Sequence, residues 1–386
     1  MRTQPPNILR LLLMLLCVLC AALAFAGDGD WPHPRGGLQG TGIAEVKLQN
    51  AYTPAWTYKT NGAVLSSAIV VDGVVYVGSE DKHLHAIDAK TGKKKWTFAG
   101  GTLIDASPVY DEGVVYIGTD GGAMFAIDAA TGQQKWRFET EGRISGAAGV
   151  TFITEEDGTK AKVVIVGSHD GLLYCLDAAT GKKRWTYETG DYINCGITLN
   201  DDTIVLGGCD TMMHLIDLQT GKGKGEIELG GEVAGMPALS NGRAYIGHMQ
   251  GEVLAIDLKA KKIAWRFSDR EFPYVGSPAV AEGRVLIGTR GRRLYCINPE
   301  TGEKVWDIRT HGGIEGAPVI AGDRAVFGSA GGRLTIIDLA KGQTLWQQDL
   351  GAAIAVSPAV TPGLLVVGAE DGNIYAFKPS STPKTD

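Results

Sequence analysis

Several features that would assign a chemistry or a partner are missing from this sequence of 386 residues. Only four cysteines follow residue 26, and they are neither adjacent nor in a C-x-x-C spacing, which disfavours zinc and thiol-redox sites. No H-E-x-x-H, P-loop or G-x-S-x-G motif occurs, so hydrolase and nucleotide chemistry have no support. Because no Lys/Arg-rich block occurs and the net charge is −6, we expect no nucleic-acid partner.

Long apolar runs are also scarce, with one at the N-terminus. Arg2 and Arg10 flank Leu11 to Phe25, and Ala24-Phe25-Ala26 has the pattern of a cleavage site, so residues 1–26 are predicted to be a secretory signal. The run is shorter than the ~20 residues of a spanning helix, and we expect no transmembrane segment after cleavage. Neither Cys17 nor Cys20 follows a small residue, so we expect no lipoprotein signal. Cleavage would leave 35 basic and 43 acidic residues, a net charge of −8, in a periplasmic or secreted chain.

Glycine is abundant instead, with 54 residues, and some of these glycines recur at a regular spacing along the chain. The segment Val74–Ser79 returns as Val114–Thr119 and then recurs less perfectly. The glycines that mark the copies are about 40 residues apart, except where a polar insertion over 154–160 lengthens one interval. They are Gly78, Gly118, Gly167, Gly207, Gly247, Gly288, Gly328 and Gly368. A fixed period of this length is typical of a repeat architecture.

A tryptophan series runs in phase with the glycines. Its members are Trp56, Trp96, Trp136, Trp185, Trp265, Trp306 and Trp346. The missing member falls on Gly225, which predicts that this unit is the weakest and that Gly225→Trp raises the melting temperature. Trp31 lies outside the series.

Each unit contains four short strands separated by turn signals such as Asp72-Gly73 and Thr91-Gly92, with no helical period. Four strands in ~40 residues form one blade of a β-propeller. We therefore predict an all-β, eight-bladed β-propeller of four-stranded blades over 54–378. The last unit ends without its fourth strand, and Pro54–Tyr58 is a fourth strand without a unit, so the N-terminal strand is expected to close the eighth blade. Residues 27–53 would be a leader segment and 379–386 a loose tail.

The repeated pattern Ala86-x-Asp88-x-x-Thr91-Gly92-x-x-x-Trp96 resembles the tryptophan-docking repeat of the pyrroloquinoline-quinone (PQQ) propeller superfamily. That superfamily includes quinoprotein alcohol dehydrogenases and the outer-membrane assembly factor BamB. The resemblance covers about residues 31–378, and Trp31–Gly36 is similar to the start of many exported members. Weaker copies deviate, for example at Ala260-Lys261, which replaces Thr-Gly.

The resemblance implies, in its enzymes, PQQ stacked between a tryptophan and adjacent cysteines and polarised by calcium. Here no Cys-Cys pair exists, and the constant pitch leaves no room for the long insertions of those enzymes, so no cofactor is expected. PQQ and calcium remain an alternative. Residues just before the first strand of each blade form a ring at the channel mouth, where Asp105, Asn194 and Glu315 are candidate oxygen ligands for a cation. Solvated polar lining is the other interpretation.

Two further groups of residues are candidate sites. His85 and His214 occupy a slot that is aromatic in other blades, so we interpret them as packed rings rather than metal ligands. Cys195 and Cys209 flank a hairpin centred on Asp201-Asp202, which places them near each other and permits a disulfide without requiring one.

These observations favour an exported, monomeric, non-catalytic scaffold that binds a protein or an envelope polymer through its top-face loops, as the resemblance to BamB implies. The loops mix charged and aromatic residues, which suits recognition. They are residues 268–274, Glu139 to Arg143 and Arg290 to Arg293. A PQQ- and calcium-dependent oxidoreductase and a small-molecule sensor are the alternatives, because a fold does not fix a function.

Overall fold

The computed structural model describes residues 29–269, 272–281 and 283–380. These residues form eight antiparallel sheets of four strands each, and no helix occurs in the described part of the chain. The predicted eight-bladed propeller is therefore confirmed. The predicted signal over 1–26 and the end of the tail, 381–386, lie outside the described residues. No helix long and apolar enough to cross a bilayer is found in the described ranges.

The first four blades follow one another along the chain. Blade 1 contains β2 (Ile69–Val71), β3 (Val74–Gly78), β4 (His83–Asp88) and β5 (Lys94–Ala99). Blade 2 contains β6 (Val109–Asp111), β7 (Val114–Gly118), β8 (Ala123–Asp128) and β9 (Gln134–Glu139). Blade 3 contains β10 (Gly149–Thr154), β11 (Lys160–Gly167), β12 (Leu172–Asp177) and β13 (Lys183–Glu188). Blade 4 contains β14 (Thr198–Asn200), β15 (Thr203–Gly207), β16 (Met212–Asp217) and β17 (Gly223–Glu228).

The remaining blades complete the ring. Blade 5 contains β18 (Ala238–Ser240), β19 (Arg243–Gly247), β20 (Val253–Asp257) and β21 (Lys262–Phe267). Blade 6 contains β22 (Ala279–Ala281), β23 (Arg284–Thr289), β24 (Arg293–Ile297) and β25 (Lys304–Arg309). Blade 7 contains β26 (Val319–Ala321), β27 (Arg324–Gly328), β28 (Arg333–Asp338) and β29 (Thr344–Asp349). Blade 8 contains β30 (Ala359–Val360), β31 (Leu365–Gly368), β32 (Asn373–Pro379) and β1 (Tyr52–Lys59).

Blade 8 joins the first and the last strand of the described chain. β1 pairs antiparallel with β32, from Tyr52 opposite Pro379 to Lys59 opposite Asn373. The predicted closure by the N-terminal strand is thus consistent with the structure. Closing the ring in this way leaves no blade without its fourth strand.

The repeated glycine at the end of the second strand has a packing reason. A Cβ built on Gly118 would lie 2.2 Å from a side-chain atom of Ile144, and one on Gly328 would lie 2.2 Å from Ile354. Both isoleucines are fully buried and enter from the loop that leads to the next blade. Glycine is therefore required because a buried side chain of the adjacent blade occupies the space of its Cβ.

The in-register tryptophans lie on the outer strands and contact the following blade. The Trp136 indole covers Gly181, whose Cβ would lie 2.8 Å from the ring, and its Nε1 donates to the Ala178 carbonyl at 2.8 Å. Trp56, Trp96, Trp265 and Trp306 donate to the equivalent carbonyl, at distances of 2.8 to 3.2 Å. These five indoles thus link two blades through apolar contact and one hydrogen bond each.

The interface between blades 4 and 5 departs from this pattern in both partners. Gly225 takes the tryptophan position, and Lys261 takes the position that is glycine in other blades. Lys261 has a φ of +53°, and a Cβ built on Gly225 would lie 3.2 Å from Lys261 Cδ and Nζ. The lysine side chain therefore covers Gly225, and its Nζ donates to the Lys224 carbonyl. The sequence-based expectation that Gly225→Trp alone stabilises the fold overlooked this side chain.

Candidate functional site

The central channel is closed at one end by the leader. Residues 31–44 run across the inner edges of the first strands, which would otherwise carry unpaired N–H groups. Trp31 pairs with Val70, and carbonyls of Pro32, Leu38, Gln39, Thr41 and Gly42 accept hydrogen bonds from blades 2, 4, 5, 6 and 7. The closed end carries the turns between the first and second strands of the blades, such as Asp72-Gly73. We call the opposite end, which carries the ring of candidate ligands, the top face. Access to the channel is therefore from the top.

Arg35 of the leader forms the floor of the open part of the channel. Its side chain is buried, Nη1 donates to the Pro318 carbonyl at 3.0 Å, and Nη2 donates to the Pro278 carbonyl at 2.6 Å. Burial lowers the pKa of Arg35 to about 9. The guanidinium thus links the leader to blades 6 and 7 through neutral carbonyl groups. No carboxylate of the described chain forms an ion pair with it.

Above Arg35, hydroxyl groups join neighbouring blades around the axis. The backbone N–H groups of Ser67, Met236, Ala317 and Ser357 donate to the hydroxyls of Ser107, Ser277, Ser357 and Ser67, respectively, at 2.8 to 3.0 Å. Each of these bonds crosses from one blade to the next. The cavity that they and the ring residues enclose has a volume of about 180 Å³.

On one side of the mouth, Asp105 belongs to a cluster of charged residues. Arg143 Nη2 lies 3.6 Å from Asp105 and 3.5 Å from Asp120, so one guanidinium bridges two carboxylates. Burial and, to a smaller extent, the negative charges of Asp120 and Glu80 raise the pKa of Asp105, whereas Arg143 lowers it, and together they bring it to about 6. The surroundings of Asp105 therefore favour the protonated carboxyl more than water does.

Glu315 and Asn194 have other partners. Arg290 makes two contacts to the Glu315 carboxylate, at 3.2 and 3.3 Å. The Asn194 amide donates to Cys209 Sγ at 2.8 Å. The three candidate cation ligands thus each engage a different group.

A calcium ion and its quinone do not fit the donor set at this mouth. Arginines contact the carboxylates of both acidic candidates, Asp105 and Glu315. Their positive charge would repel a cation bound at the same carboxylates. Among the described residues, no three His, Cys, Asp or Glu side chains are grouped so as to hold a metal ion. The cavity floor is formed by Arg35 and Pro34 rather than by a tryptophan.

The two thiols considered as a disulfide pair are free in the structure. Cys195 Sγ donates to the Gly207 carbonyl at 3.0 Å, and burial raises the pKa of Cys195 to about 12. Cys209 accepts from Asn194 and is only partly buried. The hairpin does bring both residues to the top end of blade 4, one below the surface and one at it.

The histidines of the aromatic slot are buried, as their position predicts. His85 contacts Tyr58 edge-on and hydrogen-bonds to it at 3.1 Å, and its other nitrogen lies 3.0 Å from Asp81. His214 makes the same arrangement with Tyr187 and Asp210. Both rings bridge adjacent blades and are 5% and 3% exposed, respectively, which supports their interpretation as packed rings.

Two aromatic residues on the top face are exposed. The sequence identified Phe272 only as part of a loop and did not identify Tyr192. Tyr192 stacks on His169 with a centroid distance of 5.2 Å and an angle of 11°, yet 54% of it remains exposed. Phe272 is 44% exposed. The bridging role of Arg143 was also missed, because repeat periodicity marks positions and does not reveal which blades share a side chain.

The ring of eight blades, the docking tryptophans and the channel define a β-propeller of the PQQ-repeat class. A family model described as "Outer membrane protein assembly factor BamB" matches residues 53–137, 99–271 and 264–382. Because these segments cover most of the sequence, the chain belongs to this family.

Similar proteins come from both branches of the superfamily. BamB of Xanthomonas campestris is 33% identical over 79 residues, which are 18% of this chain and 20% of that protein. The 1-butanol dehydrogenase (cytochrome c) of Thauera butanivorans is 32% identical over 95 residues, 23% of this chain and 14% of that protein. The chain thus matches only a small part of either curated relative.

Solved structures give the same two groups. BamB from Moraxella catarrhalis superposes with a TM-score of 0.70 at 20% identity, over 85% of this chain and 100% of that one. The quinohemoprotein alcohol dehydrogenase from Comamonas testosteroni superposes with a TM-score of 0.77 at 16% identity, over 95% and 83%. At these identities the similarity establishes the fold alone.

Proposed function

We propose that this protein is an exported, non-catalytic propeller that acts as a binding scaffold, with a protein partner on its top face. The observation that carries this proposal is the contrast at the mouth between paired charges and exposed rings. Asp105 and Glu315 already have arginine partners, whereas Tyr192 and Phe272 present large apolar surfaces to solvent. Exposed aromatic residues near arginines are typical of protein interfaces.

The family supports the same direction, since its description names an assembly factor. The narrow cavity also favours surface recognition over enclosure of a substrate. At about 180 Å³ it is smaller than the ~300 Å³ that marks the lower end of small-molecule pockets.

Site-specific photo-crosslinking tests this proposal in cells that produce the full chain. A benzophenone amino acid at position 192 is expected to give a discrete adduct with a protein of the same compartment. Phe152 is the matched control, because it is 49% exposed on the long hairpin of blade 3, away from the mouth. Equal adduct patterns at both positions would contradict a top-face partner.

A second experiment addresses the oxidoreductase alternative directly. Purified protein is titrated with PQQ and calcium while the quinone spectrum and dye reduction with alcohols are followed. We expect neither stoichiometric binding nor turnover. Stoichiometric binding with turnover would replace the scaffold by a quinoprotein dehydrogenase.

A further inference from the structure

The interface between blades 4 and 5 contains a groove that the other docked interfaces fill with aromatic rings. It has a volume of about 400 Å³. Its apolar part is formed by Val205, Leu215 and Leu258, and its rim by Lys224, Lys259 and Lys261. The groove lies at the leader end of the outer surface, remote from the mouth of the channel.

Two residues of blade 4 are smaller than their equivalents in blades 1, 2 and 5 and leave this space. Gly225 removes the indole, as described above. Val205 takes the position of Tyr76, Tyr116 and Tyr245, and each of those rings packs within about 6.0 Å of the tryptophan of its own blade. The groove is thus the shape left by a tryptophan and a tyrosine, which suits a flat ring.

The polar chemistry of the groove is also defined by the other interfaces. In five of them an indole N–H donates to a backbone carbonyl, that of the residue after the Asp or Asn that recurs in each blade. The equivalent carbonyl here belongs to Leu258. Because Gly225 has no side chain, this carbonyl receives no indole. A ring N–H of a ligand would find a matching acceptor there.

The rim supplies positive charge that is not internally neutralised. Lys224 is paired with Asp202 at 2.9 Å and Asp217 at 3.2 Å. Lys259 and Lys261 have no carboxylate partner within the described residues, and both are exposed. Two ammonium groups without a carboxylate partner beside an apolar slot complement a ligand that is apolar at one end and anionic at the other.

We infer that this groove binds a small planar aromatic carboxylate, with the ring between blades 4 and 5 and the carboxylate at Lys259 and Lys261. This site goes beyond the proposed scaffold function and is independent of the top face. The Lys261 side chain lies over Gly225 and is a flexible chain, so it can shift with the ligand rather than obstruct it.

The test uses indole-3-propionate as the probe, with the purified chain and ligand-observed NMR or calorimetry. We expect saturable binding, with weaker binding of the neutral analogue tryptophol and none of propionate. Lys259→Gln should weaken binding by about two- to fivefold, the range of an exposed ion pair. Lys262→Gln is the matched control, since this lysine is also exposed but does not line the groove.

Two variants fill the groove from within and should abolish binding. Val205→Tyr restores the ring present in blades 1, 2 and 5, and Gly225→Trp with Lys261→Gly restores the docking pair. If one variant fails to fold, the other gives the answer, and thermal melting verifies each. Absence of saturable binding to the unmodified chain, or unchanged binding in a folded filled variant, would overturn the inference.

Discussion

At the interface between blades 2 and 3, an indole of the preceding blade covers a glycine of the following blade and donates to its backbone. At the interface between blades 4 and 5 the direction is reversed. The following blade supplies the side chain, Lys261, which covers Gly225 and donates to the backbone of the preceding blade. The two interfaces therefore have the same type of contact with the roles of the blades exchanged.

This comparison indicates that docking between blades depends on two facing positions rather than on a tryptophan alone. Six of the seven in-register tryptophans lie against a glycine of the following blade, where a Cβ would collide with the ring. Where the ring is lost, the glycine is no longer required, and a longer residue can occupy its place. The lysine covers less apolar area than an indole, which leaves the groove between the blades.

The largest expected effect comes from breaking the indole contact. Trp136→Gly removes a side chain that is 6% exposed together with its hydrogen bond to Ala178. We expect a loss of roughly 3–5 kcal/mol in the free energy of unfolding, measured by chemical denaturation. Lys135→Gly on the same strand controls for the glycine itself, because Lys135 is exposed. Similar losses in both variants would show that the ring contributes little.

Gly225→Trp should destabilise the protein, by about 1–3 kcal/mol. Gly225 has a φ of +156°, which L residues rarely adopt, and its Cβ would press on Lys261. Thermal melting checks the sign. A higher melting temperature would mean that blade 4 can adopt the conformation of the other blades without cost, contrary to the comparison.

Combining Gly225→Trp with Lys261→Gly should recover stability. Lys261 has a positive φ that glycine adopts without strain, and its removal clears the space above position 225. A double-mutant cycle is expected to give a favourable coupling of about 1–2 kcal/mol between the two changes. Additive effects would indicate that the two positions are not coupled.

The smallest effect concerns the turn next to Lys261. In blade 1, Asp88 Oδ1 accepts from both the backbone N–H and the hydroxyl of Thr91, whereas Asp257 Oδ1 accepts only from the N–H of Ala260. Ala260→Thr should add the missing bond and about 0.5 kcal/mol. Thr91→Ala should cost a similar amount, and a melting series of both variants measures the pair.

The periodic part of the fold could be predicted because one residue type performs one task at each copy. Gly118 and Gly328 recur since a buried isoleucine meets each of them, and Trp136 recurs since it docks on Gly181. The exchange at Gly225 and Lys261 was not predictable as a pair. Both departures are visible in the sequence, but only the stacking order of the blades shows that they face each other.

The candidate site was harder to predict, because its properties depend on contacts between blades. Asp105 and Glu315 were found from their ring position, whereas their arginine partners come from loops of a neighbouring blade or turn. The closure of the channel by the leader was also not apparent. Its hydrogen bonds are made by backbone groups of residues 31–44, for which the side-chain pattern carries no signal.

The closure of blade 8 has a consequence for the order in which the protein can fold. Residues 52–59 pair with residues 373–379, so β1 has no partner until blade 8 has been synthesised. Such distant pairing is slow, because the entropy of closing a long loop opposes it. A chain that is cut before residue 373 would leave an unpaired strand edge, which favours aggregation or proteolysis. We therefore expect the ring to close only in chains that have been synthesised through β32.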